Sequence, residues 1–170
     1  TTTPWTLPAN LGICLNADFE YGVYDTGSEN VVIGKPLKEI FEKDTGMTLG
    51  LISSFKGSEL EFGKARHPFI ERDSLIVLGA HVAADAGTAC VHTAPGHGVD
   101  DYKVGLKYNL PILSPVDGAG CYTDEYVELK GINIFKANQL IIEKLQASGH
   151  LLGLKEIEHS YPHCWRSKTP

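Results

Sequence analysis

The stretch Gly87–Tyr102, GTACVHTAPGHGVDDY, decides how the rest of the chain is read. Thr88–Thr93 carries small and β-branched residues suited to a buried strand, and Pro95-Gly96-His97-Gly98 forces a turn after it. From Val99 the pattern predicts a short helix with Asp100 and Asp101 in its first turn, where carboxylates complement the helix dipole, and Asn109 at its C-terminal end. Asp101 then stands at a strand-turn-helix mouth. Such a mouth offers free backbone N–H groups, glycines that admit a ligand, and a carboxylate able to pair with a cation.

The same residues allow plainer roles. Asp100 and Asp101 could serve only as an N-cap and a dipole partner, and His92 as a hydrogen-bonded core histidine. The spacing His92, His97, Asp100 could hold a metal, but no second Cys/His cluster of recognised spacing supports it.

Outward from this stretch, 170 residues with 42% hydrophobic content can close one sizeable core, and a single domain over 1–170 is expected. Eighteen glycines and nine prolines point to many turns and short strands rather than a helical bundle. A net charge of −6 excludes a large electrostatic grip on duplex nucleic acid. Cys14, Cys90, Cys121 and Cys164 include no C-x-x-C pair, so neither a zinc site nor a disulfide scaffold is indicated, and reduced thiols in the cytoplasm are expected. A leader pattern and an apolar run of roughly 18 residues are both missing from this sequence, so secretion and membrane spanning are not expected. Both ends read as cut from a longer protein.

In chain order, Thr1–Asn10 (TTTPWTLPAN) is uncharged, and prolines at positions 4 and 8 exclude a helix interior or central strand. It is either a hydroxyl-lined wall of Thr1, Thr2, Thr3 and Thr6 or an ordinary loop held by Trp5. Leu11–Ile33 reads as a meander of three short strands. A helix follows from Gly34-Lys35-Pro36 to about Lys43, with Leu37, Ile40 and Phe41 on its apolar face and Gly46 closing it. Thr48–Phe55 returns to strand. Lys56–Arg72 reads as a solvated loop whose Lys64, Arg66, His67 and Arg72 could alternatively contact one or two phosphates.

Ser74–Leu78 (SLIVL) suits a buried strand. Pro111–Tyr122 reads as edge strands or loops. One long helix is expected over Lys136–Ser148, with Ala137, Leu140, Ile141 and Leu145 inward, a polar outer face and Gly149 after it. The terminal residues read as a returning strand or a linker. The expected class is α+β, a β-barrel-like core of short strands surrounded by a few helices.

Four motifs in order, TTTPWTLPAN at Thr1–Asn10, GTACVHTAPGHGVDDY at Gly87–Tyr102, GINIFKAN at Gly131–Asn138 and HSYPHCWRSKTP at His159–Pro170, together resemble the inserted editing domain of isoleucyl-tRNA synthetase, a class I synthetase. Pro95-Gly96-His97-Gly98 with His92 upstream looks isoleucyl rather than leucyl or valyl. Ala89-Cys90 departs from the usual Gly-Ala, and Ser167 stands where some members carry a second cysteine after CWR, so no metal is expected at Cys164.

The resemblance implies hydrolysis of valine wrongly attached to tRNA(Ile), and of valyl-adenylate as a further substrate. By that likeness Asp101 pairs with the substrate α-ammonium, and His92 walls the side-chain pocket. Thr1, Thr2 and Thr3, with Thr6 and Asn10 behind them, bind the terminal adenosine and orient water. It also implies no cofactor in this domain, with ATP used by an absent catalytic domain. The implied partners are the tRNA 3′ end and the rest of the synthetase. The domain itself is expected to be monomeric, without membrane contact, and cytoplasmic, with mitochondrial origin left open. Two rival readings stand beside it: an N-terminal nucleophile hydrolase using Thr1, and a non-catalytic module that binds a nucleotide or the tRNA end.

Overall fold

SLIVL forms the spine of the larger sheet. A computed structural model of the chain describes residues 1–85, 87–155 and 165–166, and in it β6 (Asp73–Leu78) lies between β5 (Lys64–Arg66) and β1 (Gly12–Leu15), with β7 (Val91–Thr93) beyond β1. β1 runs parallel to β6, with Gly12 opposite Leu75, and antiparallel to β7, with Ile13 opposite His92. From Ser74 to Leu78 both faces of β6 are buried or half-buried, which is why an uninterrupted apolar run serves here.

The second sheet is antiparallel, in the order β3 (Asn30–Gly34), β2 (Glu20–Asp25), β4 (Gly50–Lys56). The meander expected over Leu11–Ile33 therefore divides. β2 and β3 make a hairpin, while β1 leaves for the other sheet. Both sheets feed one core, in which Cys14, Leu15 and Val77 meet Tyr21, Tyr24 and Ile33. They are tied by Gly34 N–H donating to the Thr88 carbonyl (2.9 Å) and the Tyr21 hydroxyl donating to the Ala89 carbonyl (2.9 Å). The fold is thus mixed α and β with two sheets and few helices, and among the described residues no closed barrel joins the strands.

Helix α1 (Lys38–Thr45) follows a 3-10 turn at Lys35–Leu37 and ends at Gly46 in the left-handed conformation (φ 72°). Phe41 and Leu37 are buried as expected, but Ile40 is exposed. α2 (Val99–Lys107) begins where the sequence places it. It closes with Asn109 at φ 54° and Leu110 N–H on the Gly105 carbonyl (2.9 Å), so Asn109 holds the position just past the cap.

α3 (Ile134–Ala147) starts two residues earlier than expected because the Asn133 side chain accepts the Phe135 N–H. Ala137 and Ile141 are buried with Tyr122 and Leu129 in a second cluster. Leu140 and Phe135 are exposed, so α3's outer face is not wholly polar. Lys56–Arg72 is less of a loop than expected, containing a 3-10 turn at Gly57–Leu60 and β5. The expected terminal strand and most of HSYPHCWRSKTP, Cys164 included, lie outside the described residues.

Candidate active site

The threonine-rich segment folds as a 3-10 turn, Pro4–Ala9, because proline at its start supplies the right φ and loses no needed N–H. Side chains from distant elements take up its backbone. The Asn138 carboxamide oxygen accepts the Trp5 N–H (2.9 Å), and the Tyr122 hydroxyl donates to the Trp5 carbonyl. His67 Nε2–H donates to the Leu7 carbonyl (2.9 Å) and Arg72 to the Pro8 carbonyl (2.6 Å). With its carbonyls so committed, the segment leaves Thr1 and Thr2 exposed and Thr3 half-buried at its head.

Beneath them runs a chain of hydrogen bonds. The Ser74 hydroxyl donates to Asn10 Oδ1 (2.5 Å). The Asn10 amide then donates both to the Gly12 carbonyl (2.9 Å) and to His92 Nδ1 (2.7 Å). An amide N–H can only donate, so Nδ1 accepts and the ring proton is on Nε2, which donates to the Thr6 hydroxyl (2.9 Å). Thr6 in turn donates to the Thr3 carbonyl (2.9 Å). Thr6 and Asn10 are each only 6% exposed, and their donors are spent inside the protein. Burial holds the His92 pKa down at about 4, reinforced by the neighbouring His67 and His97.

The turn after β7 brings in the carboxylate. A Cβ at Gly96 would fall 2.2 Å from the Leu113 carbonyl oxygen, so only glycine fits there. Gly98 caps α2, and Asp101 folds back to accept the Ala94 N–H at 2.9 Å. Asp101 is therefore not the helix cap, and Asp100 pairs with Lys103 at 3.3 Å. Among the described residues no cation pairs with Asp101. The His97 ring meets Trp5 edge-on, with centroids 4.9 Å apart, so the threonine segment and the glycine-rich turn touch through these two rings. Burial pushes the His97 pKa down while the nearby Asp101 charge opposes it.

No family model matches the chain. The isoleucine–tRNA ligases of Macrococcus caseolyticus, Staphylococcus saprophyticus and Kosmotoga olearia match 100% of it at 53%, 52% and 52% identity. Over its whole length the chain is similar to a segment of the isoleucine–tRNA ligases. It spans 19% of the length of each of those three relatives. In three dimensions it is similar to the crystal structure of GlLeuRS-CP1, with a TM-score of 0.72 over 93% of this chain and 83% of that one. At 18% identity, that likeness concerns the fold.

In this chain Thr3, Thr6, Asn10 and His92 form one connected network, and Asp101 reaches the end of His92's strand through Ala94. Among the described residues no hydrogen bond or ion pair joins Asp101 to Thr1, Thr2 or Thr3 directly, and no group of three His, Cys, Asp or Glu side chains could hold a metal. Two grooves lie elsewhere, one along α2 and one lined by Arg66–Glu71 and His150. Of the four residues considered for a phosphate contact, three have other partners, and Arg66 has no ion pair among the described residues. His67 and Arg72 are committed to Leu7 and Pro8, and Lys64 pairs with Asp73 at 3.7 Å. The supporting roles of Ser74, His67, Arg72, Tyr122 and Asn138 were not legible in the sequence, because each acts on a partner sixty or more positions away.

Proposed function

We propose that the chain is the editing domain of an isoleucyl-tRNA synthetase and hydrolyses the ester that joins valine to tRNA(Ile). The observation that carries the reading is the Asp101 carboxylate at the head of α2. One oxygen is fixed by the Ala94 N–H, and among the described residues the other has no partner. A carboxylate so held costs little further ordering to grip an α-ammonium, and the contact is charge-assisted.

The need for a second site follows from magnitudes. One methylene in an apolar pocket is worth only about 1–3 kcal/mol, a figure for which this enzyme family is itself the reference case. A synthetic site for isoleucine cannot then reject valine well, whereas a smaller hydrolytic pocket excludes the larger side chain by shape. His92 suits the wall of such a pocket. Both its nitrogens are engaged, so it is held still and has no free site for proton transfer. Thr6 and Asn10 act through His92 and Thr3, as positioning residues. Thr1, Thr2 and Thr3, at the head of the same segment, present hydroxyls for the terminal ribose and the attacking water. Rate comes from holding water and ester in register rather than from a protein nucleophile. Activation with ATP belongs to a part of the synthetase outside this chain.

The test is to incubate the chain with valyl- and isoleucyl-tRNA(Ile). Selective loss of valine is expected. Asp101→Ala should slow it by about 2–5 kcal/mol of lost interaction, roughly 30-fold or more. Equal loss of both amino acids would remove His92's size-exclusion role, and undiminished hydrolysis by Asp101→Ala would overturn the mechanism.

A further inference from the structure

We infer that the outer side of α2 is a track for single-stranded RNA, distinct from the carboxylate face of the same helix and resting on the proposal that a tRNA end is brought to this chain. A groove of about 290 Å³ runs between α2 and the corner that follows β6, lined by Leu78, Gly79, His81, Asp100, Lys103 and Lys107 among others. Lys103 and Lys107 are four residues apart, so they stand one above the other on the helix. Among the described residues the only carboxylate lining the groove is Asp100, which pairs with Lys103 at 3.3 Å in an exposed contact. Lys107 forms no ion pair among the described residues, and its ammonium lies 4.8 Å from the centre of the Tyr108 ring, which restrains it without neutralising it.

In a chain of net charge −6, a groove whose excess charge is positive marks a place for an anion. The adjacent row of the helix adds a second requirement of nucleic acid. Tyr102 is 43% exposed and Leu106 is 57% exposed, beside the two lysines. Cations that follow a backbone, next to an exposed aromatic ring on which a base can stack, are the two elements of sequence-tolerant single-strand binding. Asp101 lies between Asp100 and Tyr102 in the first turn of α2, so this row and the carboxylate share one end of the helix on different faces.

The two elements leave different signatures in binding of a short single-stranded RNA ending in CCA, measured by fluorescence anisotropy at several salt concentrations. Changing Lys103 and Lys107 together to alanine should weaken binding several-fold. It should also lower the slope of log affinity against log salt by about 1.4, roughly 0.7 for each of two phosphate contacts. Tyr102→Ala should weaken binding with the slope unchanged, and Tyr102→Phe should behave as the parent. An unchanged slope in the double variant, or an equal drop from Lys43→Ala on α1, would overturn the track. So would displacement of the RNA by inorganic phosphate at comparable concentration, which would mark a free-phosphate site. Asp101→Ala separates the two proposals: it should stop deacylation and leave the salt slope intact. A chain that shows the slope and never deacylates would refute the editing function and keep the track.

Discussion

Asn10 fixes the tautomer of His92: its amide N–H, 2.7 Å from Nδ1, leaves the ring proton on Nε2. The amide cannot be reversed, because its other N–H is needed by the Gly12 carbonyl and its oxygen by Ser74. Replacing Asn10 with Asp puts an acceptor against both Gly12 and Nδ1, which favours the doubly protonated ring. Asn10→Asp should therefore raise the His92 pKa from about 4, read by NMR titration, and cost about 1–3 kcal/mol of stability. An unmoved pKa would mean that the amide does not control the ring.

The same ring makes stability depend on pH in a defined window. An unfolded imidazole takes up its proton near pH 6.5, while the folded His92 resists until about 4. Stability is thus retained above pH 6.5 and lost as pH falls towards 4, by up to about 3 kcal/mol from this residue. His67 and His97, also lowered by burial, act in the same direction. Urea denaturation across this range should show the fall, and His92→Gln should remove the largest part of it. An identical pH profile in that variant would refute the assignment.

Ala89 stands at φ 58°, in the left-handed region that a Cβ disfavours by about 1–2 kcal/mol. Glycine relieves that strain and gives back about 0.5–1 kcal/mol through the greater freedom of the unfolded chain. Ala89→Gly should accordingly raise stability by up to about 1 kcal/mol, seen as a later denaturation midpoint at constant slope. A loss would show that packing of the Ala89 methyl outweighs its backbone.

Arg72 reaches across to the Pro8 carbonyl, so Arg72→Ala frees one side of the threonine turn. The expected cost is about 1.5–3 kcal/mol, as for a hydrogen bond to a charged donor. Hydrolysis of valyl-tRNA should fall further than stability alone accounts for, because Thr1–Thr3 lose their fixed placement. Arg72→Lys, which keeps a donor, should recover part of both. Recovery of neither would point to the planar guanidinium as the feature required.

Gly96 has no room for a side chain, since the clash is with the backbone of Leu113. Gly96→Ala should shift the turn and detach Asp101 from Ala94, lowering activity with α2 still formed by circular dichroism. Full activity would show that the turn can yield elsewhere.

Elements whose ends carry local chemistry were legible in the sequence. Gly46 and Asn109 closed their helices, and the apolar run of β6 gave a buried strand. What the sequence did not disclose was pairing across distance. β1 reads as one more short strand of the meander with β2 and β3, yet it joins β6 and β7, because its hydrogen-bonding partners are chosen by the core and not by its neighbours in the chain. β4 forms where a strand was expected, but its apolar Leu51 and Ile52 are 54% and 56% exposed. At the site, Asp101 and His92 were visible through the glycines and turn around them. Their supports, Ser74 and Arg72, look like any other polar residues until the chain is folded.

The pairing of Gly12 with Leu75 and of Ile13 with His92 also fixes an order of events. During synthesis the β2–β3 hairpin can close as soon as it emerges, but β1 must wait for β6 to satisfy one edge and for β7, past the middle of this sequence, to satisfy the other. His92 and Asn10 meet only when that wait ends, so the pocket is among the last features to mature. A ribosome stalled before β7 would hold a nascent chain with a small finished sheet, one edge of β1 still open and Asn10 without its histidine.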